Sequence, residues 1–202
     1  MSLWCAALPL VLASKSEVRR TLLEAAGLAV EVVAAEIDER AIEAEAGFVD
    51  PGSVAALLAR EKARRVADGL MERLVVGADQ TLSLDRRRFS KPASRAAARE
   101  QLLALAGRTH ELHSAVVVVS GDAIRFEHVA VARLTMRRCS ETFLDRYLDA
   151  VGADVFASVG GYQVERIGVQ LFERIEGDHF TVLGLPLLPL LAFLRGEGSL
   201  AT

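Results

Sequence analysis

The segment VVGADQTLSLDRRRFSKP, residues 75–92, carries two opposite charges that a stretch serving only the core would not need. Asp79 ends an apolar run, and Lys91 follows a short alternating segment. A carboxylate can coordinate a cation or accept a proton from water, while an ammonium group can bind phosphate. A turn at residues 85 and 86 would place Lys91 opposite Gln80 and next to Asp79. From these residues alone, a cross-strand salt bridge explains the two charges as well as a catalytic site does.

A second candidate site is the segment LASKSEVRRTLLEAAG, residues 12–27, where a predicted strand meets a predicted helix. Ser14 and Ser16 lie at the junction, and Glu17 follows Ser14 by three residues, as in a capping box. The free amides of a helix start, together with the Arg19 guanidinium, could bind a chain of phosphates. The same residues are also typical of an ordinary capped helix whose arginines face solvent.

Clustered carboxylates occur in the segment EIDER, residues 36–40, after the second predicted strand. Glu36, Asp38 and Glu39 could hold a hard divalent cation. Magnesium in particular takes one or two carboxylates together with phosphate oxygens and water. A plain polar loop is the alternative interpretation.

Two further segments are chemically suggestive. GGYQVERIG, residues 160–168, lacks the G-x-G-x-x-G pattern of a dinucleotide site, although its Glu165 could read a base edge or bridge to a metal. A simple turn entering a strand explains it as well. His110 and His113 stand three residues apart and on a strand would point to opposite faces, so we predict a structural or surface role for them.

Composition narrows the class of protein. The chain has 202 residues and 51% hydrophobic content, which indicates a compact globular fold. Its net charge of −3, from 24 basic and 27 acidic residues, argues against a surface built for nucleic acid. The two cysteines form neither a disulfide framework nor a zinc pattern, and the apolar runs are too short for a membrane span. We predict a protein of the reducing cytoplasm without a targeting segment.

The hydrophobic periodicity predicts alternating strands and helices in the first half of the chain and a hairpin in the second. Strands are predicted at 9–13, 28–36, 74–76, 81–84, 111–119, 128–136 and 169–175, helices at 17–26, 53–68, 94–107, 140–150 and 186–194, and an acidic loop at 37–53. This order favours an α/β fold with a mixed sheet flanked by helices. No long linker interrupts it, so we predict one domain over residues 1–202.

Taken together and in this order, the segments resemble the Maf family of nucleotide pyrophosphatases. The resemblance covers nearly the whole chain and rests on LASKSEVRRTLLEAAG, IDE, EKA, VVGADQTLSLDRRRFSKP, LLALAGRTHELHSAV, GGYQVERIG and FERIEGDHFTVLGLPL. It implies a cytoplasmic enzyme with a fold similar to inosine-triphosphate pyrophosphatases. Such a molecule is elongated, has a cleft between two lobes and is often a dimer.

The activity implied is cleavage of a nucleoside triphosphate into the monophosphate and pyrophosphate, with magnesium or manganese. Carried over by position, Ser14 and Arg19 would hold phosphates and Lys91 would contact phosphate. Glu39 and Asp79 would serve metal and water, with Asp79 as the proton acceptor. The chemistry is consistent, because an ordinary aspartate is a weak base and a coordinated cation compensates by acidifying water.

The sequence departs from the family where the base would bind. The usual Ser-x-Ser-Pro-Arg-Arg becomes a segment without the proline and with Val18 in place of a frequent arginine. Gln80 and Glu165 resemble the subgroup that prefers 7-methyl-GTP, whereas members favouring UTP and dTTP often carry threonine where Gln80 stands. That subgroup tends to have tryptophan at the position of Val18, so both substrate classes stay open. A nucleotide-binding regulator of cell division without significant turnover is the alternative function, and a purely structural α/β domain is a third.

Overall fold

A computed structural model describes residues 3–47, 50–70, 72–85 and 87–202. The strands in these ranges are β1 (Leu10–Leu12), β2 (Val30–Val32), β3 (Val75–Leu84), β4 (Arg87–Phe89), β5 (Thr109–Ser120), β6 (Ala123–Met136) and β7 (Phe172–Glu176). The α-helices are α1 (Glu17–Ala25), α2 (Glu39–Ala46), α3 (Pro51–Ala67), α4 (Arg95–Leu105), α5 (Glu141–Val151), α6 (His179–Val182) and α7 (Leu187–Gly196). The predicted mixed sheet flanked by helices is confirmed.

All the strands belong to one sheet, in the order β2-β1-β3-β5-β6-β7, with β4 pairing to β3. β1 runs parallel to β2 and β3, whereas β3, β5, β6 and β7 pair antiparallel to one another in turn. The long antiparallel strands β3, β5 and β6 form the centre of the sheet, and the short parallel strands β1 and β2 form the side next to β3. In the ranges described above, no helix is long and apolar enough to cross a membrane.

One edge of β3 is shared by two strands that do not meet. β1 pairs with this edge as far as Val76, and β4 joins it only at Leu82. Along the other edge, β5 pairs continuously from Val75 to Ser83. Among the described residues, no strand pairs with residues 77–81 on the first edge, and the backbone there is open to other partners.

Helix α3 lies directly across this part of β3. Asp50 caps the helix through a 2.7 Å hydrogen bond from the Ser53 amide, and Pro51 occupies its first turn. A Cβ atom added to Gly77 would lie 2.0 Å from the Ala59 carbonyl oxygen in the helix backbone. Only a glycine therefore permits this approach of helix to strand. The approach brings the α3 side chains within reach of the middle of β3.

Replacing Gly77 with alanine is expected to lower the free energy of unfolding by about 3 kcal/mol, because the new methyl group meets helix backbone that cannot rotate away. Gly196→Ala is the matched control, since a Cβ atom there meets nothing within 4 Å. We expect the control to shift stability by less than about 1 kcal/mol. Urea denaturation of both variants measures the difference, and equal stabilities would contradict the close packing.

The buried apolar side chains form separate groups around the sheet. Residues 75–78 of β3 contribute to two groups, one beneath α3 and the other beneath α7. Leu82 and Leu84 contribute to another group, built with α4 and α5. Residues 79–81 lie along β3 between these regions, and the two lobes around a cleft stay a prediction.

His110 and His113 are both buried in this scaffold, which agrees with the structural role among the two predicted alternatives and not with the surface role. The Nε2 atom of His110 lies 2.6 Å from the Tyr162 hydroxyl, whereas Nε2 of His113 lies 3.2 Å from the Ser83 hydroxyl. Burial lowers the pKa of His110 to about 4 from an ordinary 6.5. The imidazole is consequently neutral throughout the physiological range.

The free energy of unfolding is expected to fall by about 3 kcal/mol between pH 7 and pH 4, because only the unfolded state can protonate His110 over most of that range. This contribution is complete above pH 6.5 and is lost as the pH falls toward about 4. Urea titrations at several pH values measure it in the native protein and in His110→Gln. If the free energy of unfolding of the variant depended on pH as strongly as that of the native protein, groups other than His110 would cause the dependence.

Several predicted boundaries were wrong in informative ways. The predicted acidic loop at 37–53 contains helix α2, whose N-terminal cap is Asp38. The next helix, predicted from residue 53, begins at Pro51 and is capped by Asp50. The two strand signals around Asp79 belong to the single strand β3, so this acid lies within a strand and not at its end.

Candidate functional site

Asp79 is a buried acid in the middle of β3, with only 8% of its surface exposed. Its Oδ1 atom accepts a 2.5 Å hydrogen bond from the ammonium group of Lys62, on helix α3. The same ammonium nitrogen lies 2.7 Å from Oε1 of Glu39, at the start of α2. One lysine thus bridges two carboxylates that are 40 residues apart along the chain.

The protonation of Asp79 is balanced between opposing effects. Burial raises the pKa of its carboxyl group, since a desolvated charge is unfavourable. The positive charges of Lys62 and Arg19 act in the opposite direction, and the charge of Glu39 adds to the rise in pKa. The net effect is a raised pKa, so Asp79 is a stronger base than an exposed aspartate, and the two cations favour its ionised form.

Arg19 fills the open edge of β3. Its Nη1 atom donates to the carbonyl oxygen of Ala78 at 2.8 Å and to the Ser14 hydroxyl at 3.3 Å. Its Nε atom donates to the carbonyl oxygen of Gly184 at 2.8 Å. Burial lowers the pKa of Arg19, and the nearby Asp79 and Glu39 offset only part of that fall. The guanidinium stays charged because arginine is such a weak acid. The remaining nitrogen, Nη2, makes no hydrogen bond with the described residues.

The N-terminus of α1 places both Ser14 and Arg19. Ser16 caps the helix by accepting from the Arg19 amide at 3.4 Å, and its own amide donates to the Ser14 hydroxyl at 3.2 Å. The predicted capping box used Ser14 as the cap, whereas the structure assigns that position to Ser16. The shift leaves the Ser14 hydroxyl beside the Arg19 guanidinium.

Gln80 lies on the opposite face of the sheet from Asp79, because successive side chains of a strand alternate. Its Nε2 atom is 2.9 Å from the Ser114 hydroxyl and 3.1 Å from the carbonyl oxygens of Thr181 and Val182. Asp79 faces α3, while Gln80 faces α6. Arg19 lies at the edge between the two faces.

The structure thus gathers four of the predicted site residues at one edge of β3: Ser14, Arg19, Glu39 and Asp79. Gln80 adjoins Asp79 on the other face, without a hydrogen bond or ion pair to these four among the described residues. The last three lie apart in the same sense: Val18 is half-buried on α1, Lys91 is exposed after β4, and Glu165 is exposed in a turn. The roles of all eight residues stay predictions.

The predicted register was correct near the turn and wrong beyond it. β3 and β4 pair from Leu84 with Arg87 onward, but the ladder ends where Leu82 meets Phe89. Residue 86 of the predicted turn lies outside the described residues. Lys91 consequently does not pair with Gln80. The salt bridge offered as the alternative to a site also has another partner, since Asp79 contacts Lys62 instead of Lys91.

Lys62 is the residue of this site that sequence reasoning missed. It lies among Leu58, Ala59 and Val66 on the buried face of α3, and its side chain is 11% exposed. A lysine on the apolar stripe of a helix is unusual unless it has a buried partner. The position of Lys62 on this apolar stripe, within the EKA segment, was the sequence signal that could have identified it as a site residue.

The carboxylate oxygens of Asp79 and Glu39 are suitable ligands for a hard divalent cation. The described residues contain no group of three or more histidine, cysteine, aspartate or glutamate side chains that could hold a metal. Asp79 and Glu39, however, converge on one ammonium nitrogen at 2.5 and 2.7 Å. Two carboxylates meeting around a positive charge match the magnesium pattern in which phosphate and water supply the other ligands.

Comparison with known proteins identifies the family. Residues 9–197 match the family model described as Maf-like protein. The chain belongs to the Maf family. One relative is a protein of Rhodopseudomonas palustris named nucleoside triphosphate pyrophosphatase, which is 55% identical over the full length of both chains.

Another relative of this Maf protein is named 7-methyl-GTP pyrophosphatase, from Rhizobium meliloti. It is 51% identical over 95% of this chain and 97% of its own. Among solved structures, a HAM1 protein from Coxiella burnetii aligns with 65% of this chain and 74% of its own, with a TM-score of 0.42 and 16% identity.

Proposed function

We propose that the protein hydrolyses nucleoside triphosphates to the monophosphate and pyrophosphate. The observation that carries the proposal is the meeting of Asp79, Lys62 and Glu39 beside the open edge of β3, where Arg19 is anchored. The same activity is named for a relative that is 55% identical over its full length. Cleavage of a phosphoanhydride requires a general base, cationic side chains and carboxylates that bind a metal.

In the proposed mechanism, Asp79 accepts the proton of the attacking water, whose oxygen forms a bond to the α-phosphorus. The bond from that phosphorus to the bridging oxygen breaks, and its electron pair leaves with pyrophosphate. Asp79 and Glu39 would hold magnesium or manganese, which when bound supplies charge neutralisation and acidification of water. The metal dependence is part of the proposal.

The cationic side chains would stabilise charge on the phosphates as the bond breaks. The Nη2 atom of Arg19 can donate to a phosphate oxygen while the other nitrogens hold their backbone partners. Lys62 is already bound to the general base and can orient it. Lys91 is exposed and unpaired with the described residues, so its ammonium group is free to contact the outer phosphates.

The site supports binding of a nucleotide across the edge of β3. In this pose the phosphates lie on the Asp79 face and the base lies on the Gln80 face, with Arg19 between them. Val18 and Glu165 would complete the base site. Gln80 and the 7-methyl-GTP pyrophosphatase relative favour a methylated guanine, whereas Val18 leaves UTP and dTTP as the alternative. We further propose that the enzyme acts in the cytoplasm as a homodimer.

A pyrophosphate-release screen tests this function. The purified protein is incubated with magnesium or manganese and with 7-methyl-GTP, UTP, dTTP, 5-methyl-UTP and pseudo-UTP in parallel. We expect turnover of at least one of them and none without a divalent cation. Tight nucleotide binding without turnover over several hours would instead support the nucleotide-binding regulator.

A further inference from the structure

Helix α2, which carries Glu39 to the site, is tied to the rest of the molecule by two ion pairs. None of its eight residues is buried. Oε1 of Glu39 lies 2.7 Å from the ammonium nitrogen of Lys62, and Nη1 of Arg88 donates to Oε2 of Glu43 at 2.8 Å. A short helix that buries so little apolar surface depends on such contacts to keep its place.

The two ion pairs lie along one face of the sheet. Glu39 and Glu43 are four residues apart, so they project from the same side of α2. Asp79 and Ser83 are also four residues apart, and on a strand this spacing places them on the same face. Arg88 is directly opposite Ser83 in the β3–β4 ladder and shares that face. The first turn of α2 is thus joined to the site at Asp79, and its second turn is joined to β4.

We propose that Arg88 is a positioning residue which, through Glu43, holds α2 where Glu39 meets Lys62. This inference rests on the proposed function, in which Glu39 helps to hold the divalent cation. Among the described residues, Arg88 forms its ion pair with Glu43 and none with Glu39 or Asp79. It therefore acts on the site only through the helix.

The pair between Arg88 and Glu43 is suited to this role because it is partly shielded from water. The two side chains are 31% and 29% exposed, whereas the Glu39 side chain is 50% exposed. Water screens a shielded pair less than a fully exposed one. In the proposed mechanism, Glu39 also shares its charge between Lys62 and the divalent cation. The pair at Arg88 is the contact of α2 that cation binding leaves unchanged.

Hydrogen exchange followed by mass spectrometry tests the position of α2 without metal or nucleotide. In Arg88→Met we expect the α2 amides to exchange about fivefold faster, the upper end of what a partly exposed ion pair contributes, with α3 unchanged. Arg88→Glu should increase the rate further, since it places a second carboxylate beside Glu43. Combining Arg88→Glu with Glu43→Arg restores an ion pair with its charges exchanged, and it should slow the exchange again.

The magnesium dependence of pyrophosphate release tests the link from α2 to the site. In Arg88→Met we expect the magnesium concentration that gives half-maximal activity to rise about fivefold, in step with the faster exchange. At saturating magnesium, kcat should stay within about twofold of the native value, because the ion holds Glu39 in place once it is bound. A general loss of folded protein would instead lower kcat at every magnesium concentration.

Arg87→Met is the matched control. Arg87 precedes Arg88 on β4 and points to the opposite face, where its guanidinium lies 4.6 Å from the centre of the Phe89 ring. This variant should keep the native exchange of α2 and the native magnesium dependence.

Native exchange of α2 in Arg88→Met, or faster exchange with an unchanged magnesium dependence, would overturn the inference while leaving the pyrophosphatase activity intact. If no nucleotide is hydrolysed, the proposed function fails, and the electron paramagnetic resonance signal of free Mn²⁺ measures cation binding in place of kinetics. About fivefold weaker Mn²⁺ binding by Arg88→Met would still support the inference. Equal Mn²⁺ binding by the two proteins, or none by the native protein, would overturn it.

Discussion

Replacing Asp79 with asparagine is expected to lower kcat/KM for pyrophosphate release by about 10²–10⁴-fold, the contribution typical of a general base. The amide cannot take a proton from water, and it is a much weaker metal ligand than a carboxylate. It can still accept the hydrogen bond from Lys62, so the fold should survive the change. Steady-state kinetics with the best triphosphate of the screen measure the loss.

Asp85→Asn provides the control for Asp79→Asn. Asp85 lies on the same hairpin, but it is paired with Arg108 at the surface. Asparagine tolerates the positive φ of 55° found there. This variant should retain native turnover. Native turnover in Asp79→Asn, in contrast, would remove Asp79 from the mechanism even if the protein is an active pyrophosphatase.

Replacing Lys62 with methionine is expected to produce the largest combined effect on stability and activity. Removing one partner of a buried ion pair leaves the other charge unpaired and costs about 3–5 kcal/mol. Lys62 and Asp79 are 11% and 12% exposed, so this buried value applies. We also expect kcat/KM to fall about 10²-fold or more, since the general base loses the cation that orients it and keeps it ionised.

The stability loss in Lys62→Met should depend on pH with a defined sign. Lys62 lowers the pKa of Asp79, so its removal lets the folded state bind a proton more tightly than the unfolded chain does. The stability of the variant relative to the native protein should consequently recover as the pH falls. Urea denaturation at neutral and acidic pH measures this recovery. An equal loss at both pH values would contradict the coupling between the two residues.

Arg60→Met is the control for Lys62→Met. Arg60 is on the same helix and pairs with Glu127, but both side chains retain more exposure, 28% and 32%. A partly exposed pair contributes less than about 1 kcal/mol. If the two variants were equally stable, Lys62 would not be part of a buried pair in solution.

The sequence predicted the parts of the fold that depend on local patterns. The strand–helix junction at Ser14, the start of the helix predicted at residue 94 and the hairpin after Leu84 all follow from short-range signals and were correct. The continuity of β3 was harder to predict. This strand is buried on both faces, so apolar residues do not alternate with polar ones along it, and Asp79 was taken for the end of a strand.

The pairing of Lys62 with Asp79 could not be predicted because it depends on distance in space. Lys62 lies 17 residues before Asp79, and no local rule joins a helix residue to a strand residue across that interval. Their contact requires the close approach of α3 to Gly77, which is a tertiary feature. The same is true of Gln80, whose side chain bonds to Ser114 and to the Thr181 carbonyl of α6.

Asp79 and Gln80 are neighbours in sequence but occupy opposite faces of the sheet. In the proposed mechanism, this arrangement separates the chemistry of the phosphates from selection of the base. Changes on the α3 face should act mainly on kcat, and changes on the α6 face should act mainly on KM and on the preferred base. One enzyme could therefore acquire a new nucleotide preference without rebuilding its catalytic residues.

Phosphorus NMR of the reaction products tests the central claim most directly. The protein, magnesium and its best triphosphate are followed to completion, with Asp79→Asn run alongside. Cleavage at the α–β bond should give resonances of a nucleoside monophosphate and pyrophosphate, absent or strongly delayed in the variant. Nucleoside diphosphate and inorganic phosphate, or the same products at the same rate from Asp79→Asn, would contradict the account.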